Sequence, residues 1–308
     1  MLPTGLLESV DLTRAVTQSL HDPLLDKTKL RADVLRIDLI HPIISGNKWF
    51  KLKYHLQEAK RLGKTGLISF GGAFSNHLLA TACAATLESL DSAAIIRGEE
   101  PATYSPTLLQ LQQYGMKLIF VSREAYKNKT ELQDNLSQRF NSYYWINEGG
   151  QSEWGIKGAS EILSLVPASD YSHIICAVGT GTMMAGLINS SLLHQQVIGI
   201  PVLKIPDHQQ NDLLSYLHKN TTNDRYSILY NHHEGGYAQK NEWLIRFMNE
   251  FYKQHLIPTD FVYTGKLFKA VFQLVEQGYF PVGSRLLLIH SGGLQGNRSL
   301  PEGSLNFV

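Results

Sequence analysis

The chain has 308 residues, of which 43% are hydrophobic, and a formal net charge of +1. Its charges are interspersed without a basic stripe, which argues against nucleic acid or an anionic membrane surface as a partner and favours a small-molecule ligand. Two cysteines in apolar surroundings, no signal-peptide pattern and no apolar stretch of membrane-spanning length together predict a cytoplasmic protein with buried thiols.

The N-terminal half alternates predicted strands and helices. A strand over Asp33–Asp38 leads into a turn that ends at Lys48, and a helix follows until Gly63, a typical C-terminal cap. The remaining strands of this half are Gly66–Phe70, Ser92–Arg97, Lys117–Val121 and Tyr143–Ile146. The helices between them run to Leu87, from Ser105 to Gly115, and from Glu124 to Asn141.

After a break at residues 147–152, the alternation continues. The predicted strands are His173–Val178, Val197–Ile200, Tyr226–Tyr230 and Arg285–His290. The predicted helices are Trp154–Val166, one from Met183, Asp207–Leu217, Asn241–Gln254 and Lys266–Glu276. This spacing is typical of parallel strands joined by right-handed crossovers. We predict two open parallel-sheet α/β domains: a small one of residues 49–149, inserted into a large one of residues 1–48 and 150–308.

Lys48 is the first candidate functional residue. It follows a glycine and lies between an apolar pair and the aromatic residues Trp49 and Phe50, so we expect its pKa to fall below about 10.4. A poorly solvated lysine can form a Schiff base with an aldehyde. On this stretch alone, an ordinary solvated lysine at the start of a helix remains the alternative.

Two glycine-containing turns each follow a predicted strand and open a helix. The turn over Gly179–Thr182 can direct backbone N–H groups at a phosphate, although a plain tight turn remains an alternative. It is not a dinucleotide fingerprint, because Met184 occupies the third glycine position. In the turn over Gly71–His77, Ser75 is either only an N-cap or part of a carboxylate site.

Together, the lysine and the two helix N-termini are expected at the carboxyl ends of parallel strands, where open α/β sheets bind ligands. One N-terminus can hold a cofactor phosphate and the other a substrate carboxylate, with the lysine between them. Pyridoxal 5'-phosphate supplies both the aldehyde and the phosphate that this arrangement needs. The residues by themselves therefore indicate a cofactor class but not a reaction.

Five blocks of residues, in this order, resemble the D-cysteine desulfhydrase and 1-aminocyclopropane-1-carboxylate deaminase family. They are Ser45-Gly46-Asn47-Lys48 with Lys51-Leu52, Gly71-Gly72 with Ser75-Asn76-His77, Val178–Thr182 with Ala185-Gly186, Val262–Lys266, and His290–Gly293. The resemblance spans about residues 36–293. It implies the fold of the tryptophan-synthase-β-like, fold type II pyridoxal-phosphate enzymes, and it suggests a homodimer.

The resemblance also implies site residues of three kinds. The catalytic residues are Lys48, which holds the cofactor covalently and serves as the α-proton base, together with Ser75, Tyr263 and Tyr237. The cofactor-binding residues are Lys48, Lys51, Asn76, Gly179, Thr180, Gly181, Thr182 and Ser291. The substrate-binding residues are Ser75, Asn76 and His77, and no metal is expected.

Three positions favour the desulfhydrase over the deaminase. His77, Thr264 and Ser291 match the desulfhydrase side of the family, whereas the deaminase pattern has glutamine and glutamate at the first two. A hydroxyl at Ser291 leaves the cofactor's pyridine nitrogen unprotonated, which β-elimination tolerates better than cyclopropane opening. That argument lapses if Ser291 only caps its turn. Phe50 and Phe74 depart from the family pattern and are expected to alter the substrate entrance.

We therefore expect β-elimination or deamination of a small amino acid, with a D-cysteine desulfhydrase-like activity that yields pyruvate, ammonia and sulfide. Two alternatives remain open at this point. One is a 1-aminocyclopropane-1-carboxylate deaminase. The other is a non-catalytic pyridoxal-phosphate-binding protein, in which Phe50 and Phe74 spoil the substrate site.

Overall fold

The computed structural model describes residues 9–236, 239 and 241–307. In this part of the chain, strands form one sheet of six and one sheet of four, with helices between them. The predicted α/β class with two open sheets is therefore confirmed. The boundaries predicted for the small domain, residues 49–149, stay a prediction.

The described strands alternate with helices along most of the chain. In chain order the strands are β1 Val16–Ser19, β2 Arg31–Arg36, β3 Gly66–Gly71, β4 Asp91–Arg97, β5 Lys117–Val121, β6 Tyr143–Ile146, β7 His173–Val178, β8 Gln196–Pro201, β9 Tyr226–Ile228 and β10 Arg285–Ile289. The helices are α1 Pro23–Thr28, α2 Asn47–Arg61, α3 Asn76–Leu87, α4 Pro106–Gln113, α5 Lys129–Leu136, α6 Glu153–Ala159, α7 Thr182–Ser190, α8 Asp207–Asn220, α9 Glu242–His255 and α10 Thr264–Glu276.

The larger sheet has the strand order β1-β2-β10-β7-β8-β9. Its pairs are parallel except that β1 pairs antiparallel with β2, with Val16 opposite Arg36. The last strand of the chain therefore lies between β2 and β7. Because β10 and β7 are parallel neighbours, their carboxyl ends lie at the same edge of the sheet. Ser291 comes shortly after β10, and Gly179 comes directly after β7.

The smaller sheet has the order β5-β4-β3-β6, and all its pairs are parallel. Its central strand β3 ends at Gly71, where the second glycine-containing turn begins. The helix after this turn, α3, is buried along its first ten residues, as its alanine-rich sequence allows. The largest buried cluster contains both Leu67 of β3 and Ile174 of β7, so packing joins the two sheets.

The structure corrects several predicted elements. β1 and α1 lie in the polar N-terminal stretch that the sequence left unassigned, and β1 is a largely exposed edge strand without an apolar alternation. The helix predicted over residues 124–141 is limited to α5, which has no buried residue to favour a longer helix. The helix predicted over residues 154–166 ends at Ala159, and the residue before Pro167 is extended, as is usual before proline.

Phe50 does not lie at the substrate entrance, which corrects the expectation from the sequence. Its side chain is 1% exposed in the core. Its carbonyl oxygen lies only 1.7 Å from the position that a Cβ atom would occupy on Gly158, so α2 and α6 pack with their backbones close together. Among the described residues, no helix is long and apolar enough to cross a bilayer.

Candidate active site

Lys48 lies in the first turn of α2, and the glycine before it explains how this turn is positioned. Gly46 has a φ of +63°, and a Cβ atom added to it would lie 2.0 Å from the carbonyl oxygen of Ser291. The backbone N–H of Asn47 donates to the same oxygen at 3.3 Å. A side chain at position 46 would therefore push the Lys48 turn away from the segment that follows β10.

The ammonium of Lys48 is in a poorly solvated position, as the sequence predicts. Burial lowers its pKa from 10.5 to about 8, and the negative charge of Asp260 offsets part of this effect. Its Nζ donates to Asn47 Oδ1 at 2.7 Å and lies 5.7 Å from the ring centre of Tyr263. A substantial unprotonated fraction of this amine is therefore present near neutral pH.

Asp260 was missed by the sequence reasoning. It is fully buried, and its carboxylate accepts hydrogen bonds from the backbone N–H groups of Val262, Tyr263 and Thr264 and from the Thr264 hydroxyl. It therefore satisfies backbone N–H groups just before and at the start of α10, whose N-cap is Tyr263, and places a negative charge near Lys48. The signal was an acidic residue two to four positions before a helix, but it was hidden because the helix was predicted to begin at Lys266.

The turn at the end of β7 has the geometry of an anion site. Gly181 has a φ of +82° and precedes α7, and a Cβ atom on it would lie 2.9 Å from Leu213 Cδ1. The hydroxyl oxygens of Thr180 and Thr182 lie 3.0 Å apart. The first backbone N–H groups of a helix lack intrahelical partners, so this N-terminus can hold a phosphate.

Residues 149–151 connect this turn to Lys51. A Cβ atom on Gly149 would lie 2.8 Å from Thr180 Cγ2, and one on Gly150 would lie 3.1 Å from Lys51 Cβ. The amide of Gln151 donates to the Thr180 carbonyl at 3.3 Å. Burial, with a further contribution from Lys48, lowers the pKa of Lys51 from 10.5 to about 7. The protein by itself therefore does little to stabilise the charged form of Lys51.

The turn after β3 presents Ser75 and Asn76 at the start of α3. Ser75 is the N-cap: its hydroxyl accepts from the backbone N–H of Leu78 at 3.2 Å. Asn76 is 6% exposed, and its Nδ2 donates a long hydrogen bond of 3.5 Å to the carbonyl of Gly293. Its Oδ1 is buried and has no hydrogen-bond partner among the residues that the structure describes. This amide therefore has hydrogen-bonding capacity left for a ligand.

His77 is buried beneath the same turn. The Ser69 hydroxyl donates to the carbonyl of Ile146 at 2.8 Å, so it accepts from Nε2 of His77 at 2.9 Å. The Nδ1 atom is then an acceptor, and it is without a partner in the described part of the chain. Burial first, and then the charges of Lys51 and Lys48, hold the pKa of His77 well below 6.5.

Ser291 is 4% exposed and lies against the Lys48 turn through its carbonyl oxygen. A buried ionic network lies behind it. Arg36 donates two hydrogen bonds of 2.8 Å to Asp38, and His290 places Nδ1 3.2 Å from the same carboxylate. Nε2 of His290 donates to the carbonyl of Pro258 at 2.7 Å. The sequence reasoning did not find this network, because Arg36 and Asp38 are far from His290 along the chain.

A cavity of about 430 Å³ opens beside these residues. Its lining contains Phe74, Asn76, Thr103, Tyr104, Ser105, Pro106, Phe261, Val262, Tyr263, Gly296, Arg298 and Ser299. Phe74 is 45% exposed and lies at the mouth of this cavity, and its effect on substrate entry stays a prediction. Ser75 and His77 are not among the lining residues, and Tyr237 lies outside the described residues.

Contacts link several of the candidate residues: Asn76 donates to Gly293, and the Tyr263 ring lies near both Lys48 Nζ and Gly179. A half-buried amine with a lowered pKa, two helix N-termini and a second buried lysine can hold an aldehyde-bearing phosphate ligand. The unpartnered Oδ1 of Asn76 can accept from a ring hydroxyl, and the glycine-formed turn at Gly181 can hold a phosphate, so both fit pyridoxal phosphate. Among the described residues, no group of three or more histidine, cysteine, aspartate or glutamate residues is arranged to bind a metal.

Comparisons with known proteins cover most of the chain. A family model described as pyridoxal-phosphate dependent enzyme matches residues 31–292. A putative 1-aminocyclopropane-1-carboxylate deaminase of Pyrococcus horikoshii is 27% identical, over 87% of this chain and 86% of the relative. The bifunctional D-cysteine desulfhydrase/1-aminocyclopropane-1-carboxylate deaminase, mitochondrial, of Arabidopsis thaliana is 27% identical, over 85% and 72%. A solved structure described as an ACC deaminase homologue has a TM-score of 0.80 and 26% identity, covering 94% of this chain and 93% of that one.

Proposed function

Because the chain belongs to the family of pyridoxal-phosphate-dependent enzymes, we propose that it catalyses β-elimination from a small amino acid. Its preferred substrate in this proposal is D-cysteine, which yields pyruvate, ammonia and sulfide. The observation that supports the proposal is Lys48, whose pKa is lowered to about 8, close to Tyr263, whose ring also lies near Gly179 at the turn before α7.

Each part of the cleft has a proposed task. When bound, pyridoxal phosphate supplies an aldehyde for covalent attachment and a ring that delocalises the electron pair of the α-carbon. Lys48 is the attachment point and, once released, the base that takes the α-proton. The phosphate site consists of Lys51 and the backbone of Gly179, Thr180, Gly181 and Thr182. Asn76 would hold the phenolic oxygen, and Ser291 would supply a neutral hydroxyl for the ring nitrogen.

The substrate side of the cleft is assigned in the same way. The N-terminus of α3 is positive, so it suits the substrate carboxylate, with Ser75 and Asn76 beside it. Tyr263 is a proposed catalytic residue because its ring lies 5.7 Å from Lys48 Nζ. Tyr237 is proposed from the family resemblance alone. His77 is proposed to support the substrate contacts from below, since its imidazole is buried against Ser69.

A second candidate function is 1-aminocyclopropane-1-carboxylate deamination. The Pyrococcus horikoshii relative is named for this activity alone, and the Arabidopsis thaliana relative is named for both activities. Two features favour the desulfhydrase instead. The deaminase pattern has a glutamate where this chain has Thr264, and the Thr264 hydroxyl is hydrogen-bonded to Asp260. Ser291 offers a neutral hydroxyl to the ring nitrogen, which β-elimination tolerates because the leaving group removes the α-carbon electron pair quickly.

The test is a steady-state comparison of D-cysteine, L-cysteine, D-serine and the cyclopropane acid on the cofactor-loaded protein. We expect the highest kcat/KM for D-cysteine. A higher kcat/KM for the cyclopropane acid would favour the deaminase, and no turnover of any of the four would favour the non-catalytic alternative.

The attachment point is tested separately. Borohydride reduction followed by peptide mapping should place the cofactor on Lys48, and Lys48→Ala should abolish turnover. Lys60→Ala, on the exposed face of the same helix, is the control and should keep full activity. A cofactor adduct on any other lysine would contradict the proposal.

We also propose that the protein works in the cytoplasm as a homodimer. Cys83 and Cys176 are both buried free thiols, which supports a reducing compartment. The dimer is supported by the family resemblance. Light scattering of the purified protein should give twice the mass of one chain, and a monomer would contradict this part of the proposal.

A further inference from the structure

The cavity beside Lys48 is larger than cysteine needs. Its volume is about 430 Å³. A cavity of about 150 Å³ is enough for benzene, which is close to cysteine in size. None of the lining residues belongs to the Gly179–Thr182 turn, so the space lies outside the proposed phosphate site. The volume beyond what cysteine needs would be shared by the cofactor ring, which Asn76 is proposed to contact, and by a substituent beyond the reacting carbons of the substrate.

The walls of this space are mostly apolar. Phe74 and Pro106 line it from the side of the smaller sheet, and Phe261 and Val262 line it from the side of the larger sheet. Phe261 and Val262 are buried, whereas Phe74 is 45% exposed and has apolar surface left for a ligand to cover. Covering such surface favours binding of an apolar group.

The cavity adjoins Lys48 through Tyr263, although Lys48 itself is not one of its lining residues. Asn76 and Tyr263 belong to its lining, and the Tyr263 ring lies 5.7 Å from Lys48 Nζ. A substrate whose amino group reaches Lys48 can therefore place its β-substituent between the two apolar walls.

We propose that this cavity receives the side chain of the substrate and that the preferred substrates are cysteines whose sulfur carries a bulky apolar group such as benzyl. This inference rests on the proposed β-elimination and narrows its substrate class. In the reaction, the Cα–H and Cβ–S bonds break, and the sulfur leaves with the bonding electron pair and takes up a proton to become a thiol. One water molecule is consumed as the remaining fragment becomes pyruvate and ammonium, so no oxidant or reductant is needed.

The probes are cysteine, S-methylcysteine and S-benzylcysteine, each as both enantiomers, with the cofactor-loaded protein. Pyruvate release gives kcat/KM for each. In the reactive enantiomer, we expect the value for S-benzylcysteine to equal or exceed that for cysteine. A lower value for S-benzylcysteine than for cysteine would overturn the inference while leaving the proposed β-elimination intact. Absence of pyruvate from all six compounds would overturn the proposed function itself, and the inference with it.

Two variants test the place of the substituent. Gly296→Leu fills the cavity: position 296 does not have a positive φ, and the nearest atom to an added Cβ is Val262 Cγ2 at 3.9 Å. Phe74→Ala removes an exposed wall, so it remains informative if the first variant folds poorly. Each should lower the ratio of kcat/KM for S-benzylcysteine to that for cysteine by about tenfold or more.

Tyr279→Ala is the matched control, because Tyr279 is an aromatic residue of similar exposure, 41%, outside the cavity lining. It should leave the ratio unchanged. An unchanged ratio in both Gly296→Leu and Phe74→Ala would show that the substituent does not bind in this cavity and would overturn the inference.

Discussion

Replacing Lys51 with methionine should stabilise the cofactor-free protein and weaken its affinity for the cofactor. Lys51 is 7% exposed, and its pKa falls from 10.5 to about 7, first because of burial and second because of Lys48. Since its pKa is lower in the folded state, the folded chain binds fewer protons than the unfolded chain between pH 7 and 10.5. Lys51 therefore destabilises the fold most below pH 7, and this cost decreases as the pH rises.

The magnitude follows from the two pKa values. Their difference is 10.5 minus about 7, or about 3.5, and at about 1.4 kcal/mol per pH unit the cost is at most about 5 kcal/mol below pH 7. At pH 9 the remaining cost is about 2 kcal/mol by the same relation. Methionine keeps the apolar stem of the side chain and removes the charge. The stability gained by the variant should therefore shrink by about 3 kcal/mol between pH 6 and pH 9.

Urea denaturation at pH 6 and pH 9, after removal of the cofactor, measures this gain. Cofactor titration of the same variant should show a loss of about tenfold or more, because a charged hydrogen bond contributes about 1.5–3 kcal/mol. Lys60→Met is the matched control, since Lys60 is on the exposed side of α2 and pairs with Glu88. A variant less stable than the wild type, or a stability gain that does not depend on pH, would refute the burial argument. Unchanged cofactor affinity would remove Lys51 from the phosphate site.

Two further substitutions test how the turn at Lys48 is supported. Gly46→Ala should lower the free energy of unfolding by at least about 2 kcal/mol and reduce cofactor occupancy, because its Cβ would lie 2.0 Å from the Ser291 carbonyl oxygen. Denaturation and cofactor absorbance measure the two effects, and wild-type values would contradict the close approach. Asp38→Asn should cost about 3–5 kcal/mol, because it leaves Arg36 buried without its charge partner and changes the contact to His290. A cost below about 1 kcal/mol in denaturation would show that the network contributes little.

The local elements of the smaller sheet could be predicted because their sequence signals are strong. β3 is buried at all six positions, and its continuous apolar run is typical of a central parallel strand. The order of the larger sheet could not be predicted. Nothing in the sequence of β10 indicates that this last strand lies between β2 and β7, because the order depends on packing between distant residues.

The prediction of the site was limited because it did not take into account which side of α2 each residue faces. Lys48 was identified from its neighbours, since apolar residues on both sides indicate poor solvation. Phe50 was assigned to the entrance because it departs from the family pattern two positions after Lys48. Residues two apart on a helix do not face the same side, so Phe50 packs into the core while Lys48 faces the cleft.

The groups that are costly in the cofactor-free protein are also the groups proposed to hold the cofactor. Lys48 and Lys51 both have lowered pKa values, and Asn76 Oδ1 is buried without a partner within the described residues. Each unsatisfied buried polar atom costs about 1–3 kcal/mol. A phosphate dianion would favour the charged form of Lys51, and a polar ring substituent would use the amide of Asn76. Binding should therefore stabilise the fold by more than contact area alone suggests. A ligand that carries both a phosphate and a polar ring substituent is favoured for this reason.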